Sequence, residues 1–64
     1  MEGKYRIVLF RDGGEGAGIE RMLARHDDLS TAYALYKAHV KDNRGRLLML
    51  CDGARVLARS DRPQ

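Results

Sequence analysis

The chain has one cysteine and no tryptophan, and no apolar run approaches the ~18 residues of a membrane-spanning helix. A lone Cys51 excludes an internal disulfide, and no Cys/His cluster has the spacing of zinc ligands. Aromatics are scarce as well, at three tyrosines and one phenylalanine. A domain of 64 residues buries only about 60% of the surface its unfolded chain exposes. Domains this small lean on disulfides, a metal or a partner subunit. With the first two removed, self-association is the remaining remedy. Met1-Glu2-Gly3-Lys4 leads straight into a strand-like run and shows no signal-peptide pattern. These absences predict one cytoplasmic domain over 1–64, ordered over about 4–60 with a frayed tail at 61–64, and no membrane contact.

What is present describes a folded domain, with 44% apolar and 33% charged residues. The net charge of +3 is uneven: residues 1–32 carry five Lys/Arg against six Asp/Glu, and residues 33–64 carry seven against three. That lean suits anionic partners but is mild for a dedicated nucleic-acid binder.

Lys4–Phe10 is rich in β-branched and aromatic residues and ends at Arg11-Asp12-Gly13-Gly14, so it reads as a strand. Tyr5, Ile7 and Leu9 share one face; Arg6, Val8 and Phe10 share the other. Residues 11–18 form a glycine-rich connection. Ile19–His26 fits helical and alternating patterns comparably, and a strand is preferred because it would pair with the first as a hairpin. Asp27-Asp28-Leu29-Ser30-Thr31 carries helix-capping residues, predicting a helix from about Leu29 to Lys41. Its apolar stripe is Ala32, Leu35, Tyr36, His39 and Val40, and Asn43 or Gly45 stops it. Arg46–Cys51 and Ala54–Arg59 flank Asp52-Gly53, a type I′ hairpin signal that sets Cys51 opposite Ala54. One hairpin face then holds Leu47, Met49, Cys51, Ala54, Val56 and Ala58, expected beneath the helix. The other holds Arg46, Leu48, Leu50, Arg55, Leu57 and Arg59.

The predicted fold is therefore α+β: a two-layer ββαββ domain, a mostly antiparallel four-stranded sheet with one helix on one face. The Tyr5-Arg6 strand, the acidic helix start Asp27-Asp28, the alanine-rich helix and the closing strand Arg55-Val56-Leu57-Ala58-Arg59 resemble a group of small single-domain bacterial ββαββ proteins of uncharacterised function. The likeness spans most of residues 4–60. It departs at Leu48-Met49-Leu50-Cys51, where that group tends to a more polar strand with tryptophan. The resemblance implies a strand at 19–26 and attaches no function.

No chemical constellation outweighs its plainer explanation. The loop Gly13-Gly14-Glu15-Gly16-Ala17-Gly18 lacks the Gly-Lys-Ser/Thr ending of a phosphate loop and the spacing of a dinucleotide fingerprint. Cys51 and His39 would share the helix side, but no orienting acid or oxyanion hole accompanies them. His26, Asp27 and Asp28 are better explained by helix capping than by a metal. No catalytic, cofactor or metal residue is predicted. The expected function is a non-catalytic interaction module, self-associating as a homodimer or meeting another protein. Its interface would be an apolar, arginine-rimmed sheet face: Val8, Phe10, Leu48, Leu50 and Leu57, with Arg46, Arg55 and Arg59. The alternative is nucleic-acid or other polyanion binding through Arg6, Arg46, Arg55, Arg59 and Phe10.

Overall fold

The computed structural model describes residues 4–61, and the tail beyond Asp61 lies outside them. Strands β1 (Tyr5–Phe10), β2 (Ile19–His26), β3 (Leu48–Asp52) and β4 (Arg55–Arg59) form one sheet, with helix α1 (Leu29–Asp42) between β2 and β3. Neighbours pair antiparallel in the order β2-β1-β3-β4. This is the expected ββαββ architecture.

β2 shows why its periodicity was ambiguous. Val8 pairs with Met22 directly after Ile7 pairs with Ala24, and Phe10 pairs with Ile19 directly after Leu9 pairs with Arg21. Leu23 and Glu20 are thus inserted residues. A bulge breaks strict alternation, and Leu23 and Ala24 both pack towards the helix. Two consecutive apolar residues on one side imitate helical spacing.

Helix α1 starts where its capping residues place it. The Asp28 carboxylate accepts from the Thr31 N–H at 2.8 Å and from the Thr31 hydroxyl at 2.9 Å. At the other end the Asn43 side chain donates to the His39 carbonyl at 2.8 Å. Gly45, at φ +83°, then takes the left-handed turn. Of the expected stripe Ala32 and Tyr36 are buried and Leu35 and Val40 pack beside them, joined by Tyr33, while His39 is half-buried outside that cluster. The Tyr33 and Tyr36 rings meet edge to face at 5.9 Å.

The closing hairpin differs from the sequence expectation by one residue. Asp52 pairs with Arg55, so Gly53-Ala54 is the loop. Gly53 has φ +61° and among the described residues no non-glycine residue has positive φ, the pattern of a type II′ turn with glycine first. A one-residue shift exchanges the faces of a strand. Leu48 and Leu50 stand opposite Leu9 and Ile7, on the helix side and fully buried. Leu47, Met49 and Cys51 join Val8 and Phe10 on the far side. Leu57 falls in a bulge and lies half-buried against the helix-side core, with Ala58 beside it opposite Leu50. The assignment of Leu48, Leu50 and Leu57 to the uncovered face is therefore corrected. So is the placement of Leu47, Met49, Cys51 and Val56 under the helix.

Candidate interaction face

The face opposite the helix is built in cross-strand rows. The middle row runs Met22, Val8, Met49 and Arg59 across all four strands. Towards the β1–β2 loop lies Ile19 beside Phe10, whose N–H donates to the Leu47 carbonyl at 3.0 Å. Towards the opposite end lies the row Arg25, Arg6, Cys51 and Val56. Side chains from the two central strands are buried: Val8, Phe10, Met49 and Cys51, with Leu47 just before β3. Those from the outer strands are not. Ile19, Met22 and Val56 are 52%, 45% and 42% exposed, three of the four large exposed apolar side chains among the described residues.

No helix covers this face; arginines partly close one end of it. The Arg46 guanidinium donates to the Phe10 carbonyl at 2.7 Å and to Glu20 Oε1 at 2.6 Å. Arg59 reaches Glu15 Oε1 at 3.0 Å and Asp61 Oδ2 at 3.0 Å. Glu15 sits in the β1–β2 loop, so its ion pair with Arg59 ties that loop to β4. The hydrogen bond from Arg46 holds the Glu20 carboxyl below its ordinary pKa, while hydrogen bonds to Asp61 and Glu15 raise that of Arg59. Ser60 completes the corner, its hydroxyl accepting from the Leu48 N–H at 2.8 Å and donating to the Arg46 carbonyl at 3.0 Å. A cleft of about 610 Å³ lies here, lined by Arg11, Asp12, Glu15, Arg46, Arg59 and Asp61 among others. Its charges alternate, with three arginines against three carboxylates.

The other end is basic. Arg6 and Arg25 face each other across β1 and β2, and among the described residues neither makes an ion pair. Arg6 donates to the Gly53 carbonyl at 2.8 Å. Burial pushes the Cys51 thiol up, and the Arg6 charge only partly opposes this. A raised thiol pKa is the reverse of what a nucleophile needs. Cys51 and His39 lie on opposite sides of the sheet, so the pair considered from the sequence does not form.

Of the eight interface residues expected from the sequence, Val8, Phe10 and Arg59 belong to this face and Arg46 to its rim. Leu48, Leu50 and Leu57 belong to the helix side. Arg55 pairs with Asp52, which stands opposite Tyr5 on that same side, and its guanidinium is 3.8 Å from the Asp52 carboxylate. Arg46 and Arg59 do not oppose one another as a like-charge pair. Each meets a carboxylate of its own chain. Ile19, Met22 and Arg25 were missed because the bulges in β2 hide their common face. For the polyanion alternative, Phe10 is only 7% exposed and presents no open ring for stacking.

Among the described residues no three His, Cys, Asp or Glu side chains are grouped to hold a metal ion, and no helix is long and apolar enough to cross a membrane. Comparison with protein-family models, with curated protein sequences and with solved structures finds no match to this chain.

Proposed function

We propose that the protein is a small, non-catalytic interaction module of the cytoplasm that self-associates through the sheet face opposite its helix. The observation that carries this reading is the exposure of Ile19, Met22 and Val56 around a continuous apolar strip on one face. Apolar patches rimmed by charge mark association sites. Edge-to-edge pairing is less suited, because bulges interrupt both outer strands, β2 at Glu20 and Leu23 and β4 at Leu57.

Magnitudes set the strength of the contact. Four strands about 4.8 Å apart and some 18 Å long span about 350 Å² per subunit, or about 700 Å² in all. That is below the ~1,000 Å² of a standard specific interface and fits a transient contact only. Covering three half-exposed apolar side chains on each subunit contributes about 6 kcal/mol in total. Association costs at least ~4 kcal/mol. The self-association is therefore weak and reversible, which suits a module that also exchanges partners. Sedimentation equilibrium from about 10 μM to 1 mM should show mass rising from monomer towards dimer. Met22→Glu and Val56→Glu should hold the protein monomeric and folded. A wild type that stays monomeric throughout refutes the reading. Salt-sensitive binding of RNA at micromolar protein would favour the polyanion alternative instead.

A further inference from the structure

We infer that Arg6 and Arg25 form a binding site for a phosphate monoester, their guanidiniums gripping its terminal oxygens while an apolar substituent lies over the exposed side chains beside them. The two residues stand directly opposite one another on β1 and β2, on the face away from the helix. Residues so paired lie about 5 Å apart at Cβ, close enough for both guanidiniums to converge on one anion. Arg6 is half-buried and fixed by its 2.8 Å hydrogen bond to the Gly53 carbonyl, which occupies one of its several N–H donors. Arg25 is exposed, and among the described residues neither arginine makes an ion pair. A like-charge pair of this kind is destabilising until an anion joins it. Both arginines belong to one chain, so the site does not rest on self-association.

Charge and oxygen count select the ligand. No carboxylate shares the row of the two arginines, which continues through Cys51 to Val56. Asp52 stands opposite Tyr5 on the helix side, Asp28 accepts from Thr31, and Asp27 accepts from the Lys4 N–H at 3.1 Å. Glu15, Glu20 and Asp61 lie at the other end of the face, with Arg59 and Arg46. A carboxylate ligand brings one charge and two oxygens, enough for one guanidinium fork. A phosphate monoester brings about −1.5 to −2 and three oxygens, which match two forks. Met22, in the neighbouring row, and Val56, at the end of the same row, flank the arginines and are half-exposed. They give the organic group of the ester an apolar surface to cover. Free phosphate esters and the headgroups of monoester phospholipids share this chemistry.

Amide chemical-shift titration with phenyl phosphate tests the site, at about 50 μM protein and low salt, where self-association adds little. Exposed charge contacts are individually weak, so saturation is expected with a dissociation constant on the order of 1 mM and the largest shifts at Arg6, Arg25 and Gly53. Inorganic phosphate should bind about threefold more weakly and benzoate about tenfold. Arg25→Gln should weaken phenyl phosphate about tenfold. Arg21→Gln, on the same strand but paired with Leu9 on the helix side, should not. Arg25 is exposed, so its replacement leaves the fold intact, which circular dichroism checks. Shifts that fail to saturate by about 20 mM, or that fall equally in both variants, overturn the site. Equal binding of benzoate overturns the phosphate assignment, and equal binding of inorganic phosphate overturns the apolar part. Phosphatidylcholine vesicles with and without phosphatidic acid separate the two sources. Binding only to the latter kind, lost in Arg25→Gln, supports a lipid headgroup; phenyl phosphate binding without vesicle binding supports a free ester. Vesicle binding that survives Arg25→Gln overturns the lipid source. A wild type that never dimerises leaves the phosphate site standing, and a phosphate that fails to bind leaves self-association standing.

Discussion

Replacing Leu50 by alanine tests the assignment of the two faces most directly. Leu50 has no exposed surface, pairs with Ile7 and Ala58, and packs in the cluster that includes Ala32 and Tyr36. Truncating such a leucine costs about 2–5 kcal/mol, the spread reflecting how far the site can collapse. A 64-residue domain has a total of roughly 3–10 kcal/mol to lose. The variant is therefore expected to lose between about a fifth and all of its stability. Urea titration followed by far-ultraviolet circular dichroism is the assay. With a slope of about 1 kcal/mol/M, the midpoint should fall by about 2–5 M. Met22→Ala is the control, since this half-exposed side chain should cost less than about 0.5 kcal/mol to monomer folding. Both should be measured at low micromolar concentration, where association adds nothing. If the two variants lose comparable stability, Leu50 does not occupy a core distinct from the face that carries Met22, and the packing described above is wrong.

Other perturbations test separate parts of the structure. Gly53→Ala should destabilise by about 1 kcal/mol because φ is +61° there, although a methyl group would meet nothing within 4 Å. A synthetic chain with D-alanine at position 53 should be at least as stable as the natural one, and a loss equal to that of L-alanine would sink the conformational explanation. Hydrogen bonds from Thr31 lower the Asp28 carboxyl pKa below its ordinary 3.8. Its contribution to stability is thus full above that value and lost as pH falls through the lowered folded-state pKa, so Asp28→Asn should flatten this part of the acid-unfolding curve. Cys51 should resist an aromatic disulfide reagent at neutral pH in the native state and react fully in urea. Fast native labelling would contradict its burial.

The elements were legible in the sequence because each carries its own punctuation: Asp28 before the helix, Gly45 after it, and glycines at both hairpin connections. The faces of β1 were legible too, since Tyr5, Ile7 and Leu9 lie towards the helix as their alternation implied. The closing hairpin was not. Asp52-Gly53 and Gly53-Ala54 are both acceptable two-residue loops, one with a type I′ signature and the other type II′. Choosing between them by local rules fixes a register that inverts every side chain in β3. The bulge at Leu57 then returns Ala58 and Arg59 to the sides first expected, so two residues kept their predicted places by a compensating shift. The ion pairs of Arg46 and Arg59 were equally hidden, because their carboxylates lie 26 and 44 residues away in the chain.

The register was hard to read because both faces of the central strands are apolar. A half-buried antiparallel strand alternates apolar with polar residues, but Leu47–Cys51 is an unbroken apolar run, as is Ile7–Phe10. What separates the faces is cover: the helix lies on one, and on the other the outer strands leave apolar side chains exposed. Branched Ile7, Leu9, Leu48 and Leu50 pack against the helix stripe, where a fixed neighbour rewards fixed shape. On the other face Val8, Phe10, Leu47, Met49 and Cys51 are buried among themselves, while Ile19, Met22 and Val56 on the outer strands stay exposed. A chain selected only to fold alone would gain solubility from polar residues at Ile19, Met22 and Val56, at little cost to its core. Their apolar character, where solvent would favour polar residues, is the observation on which the proposed self-association rests.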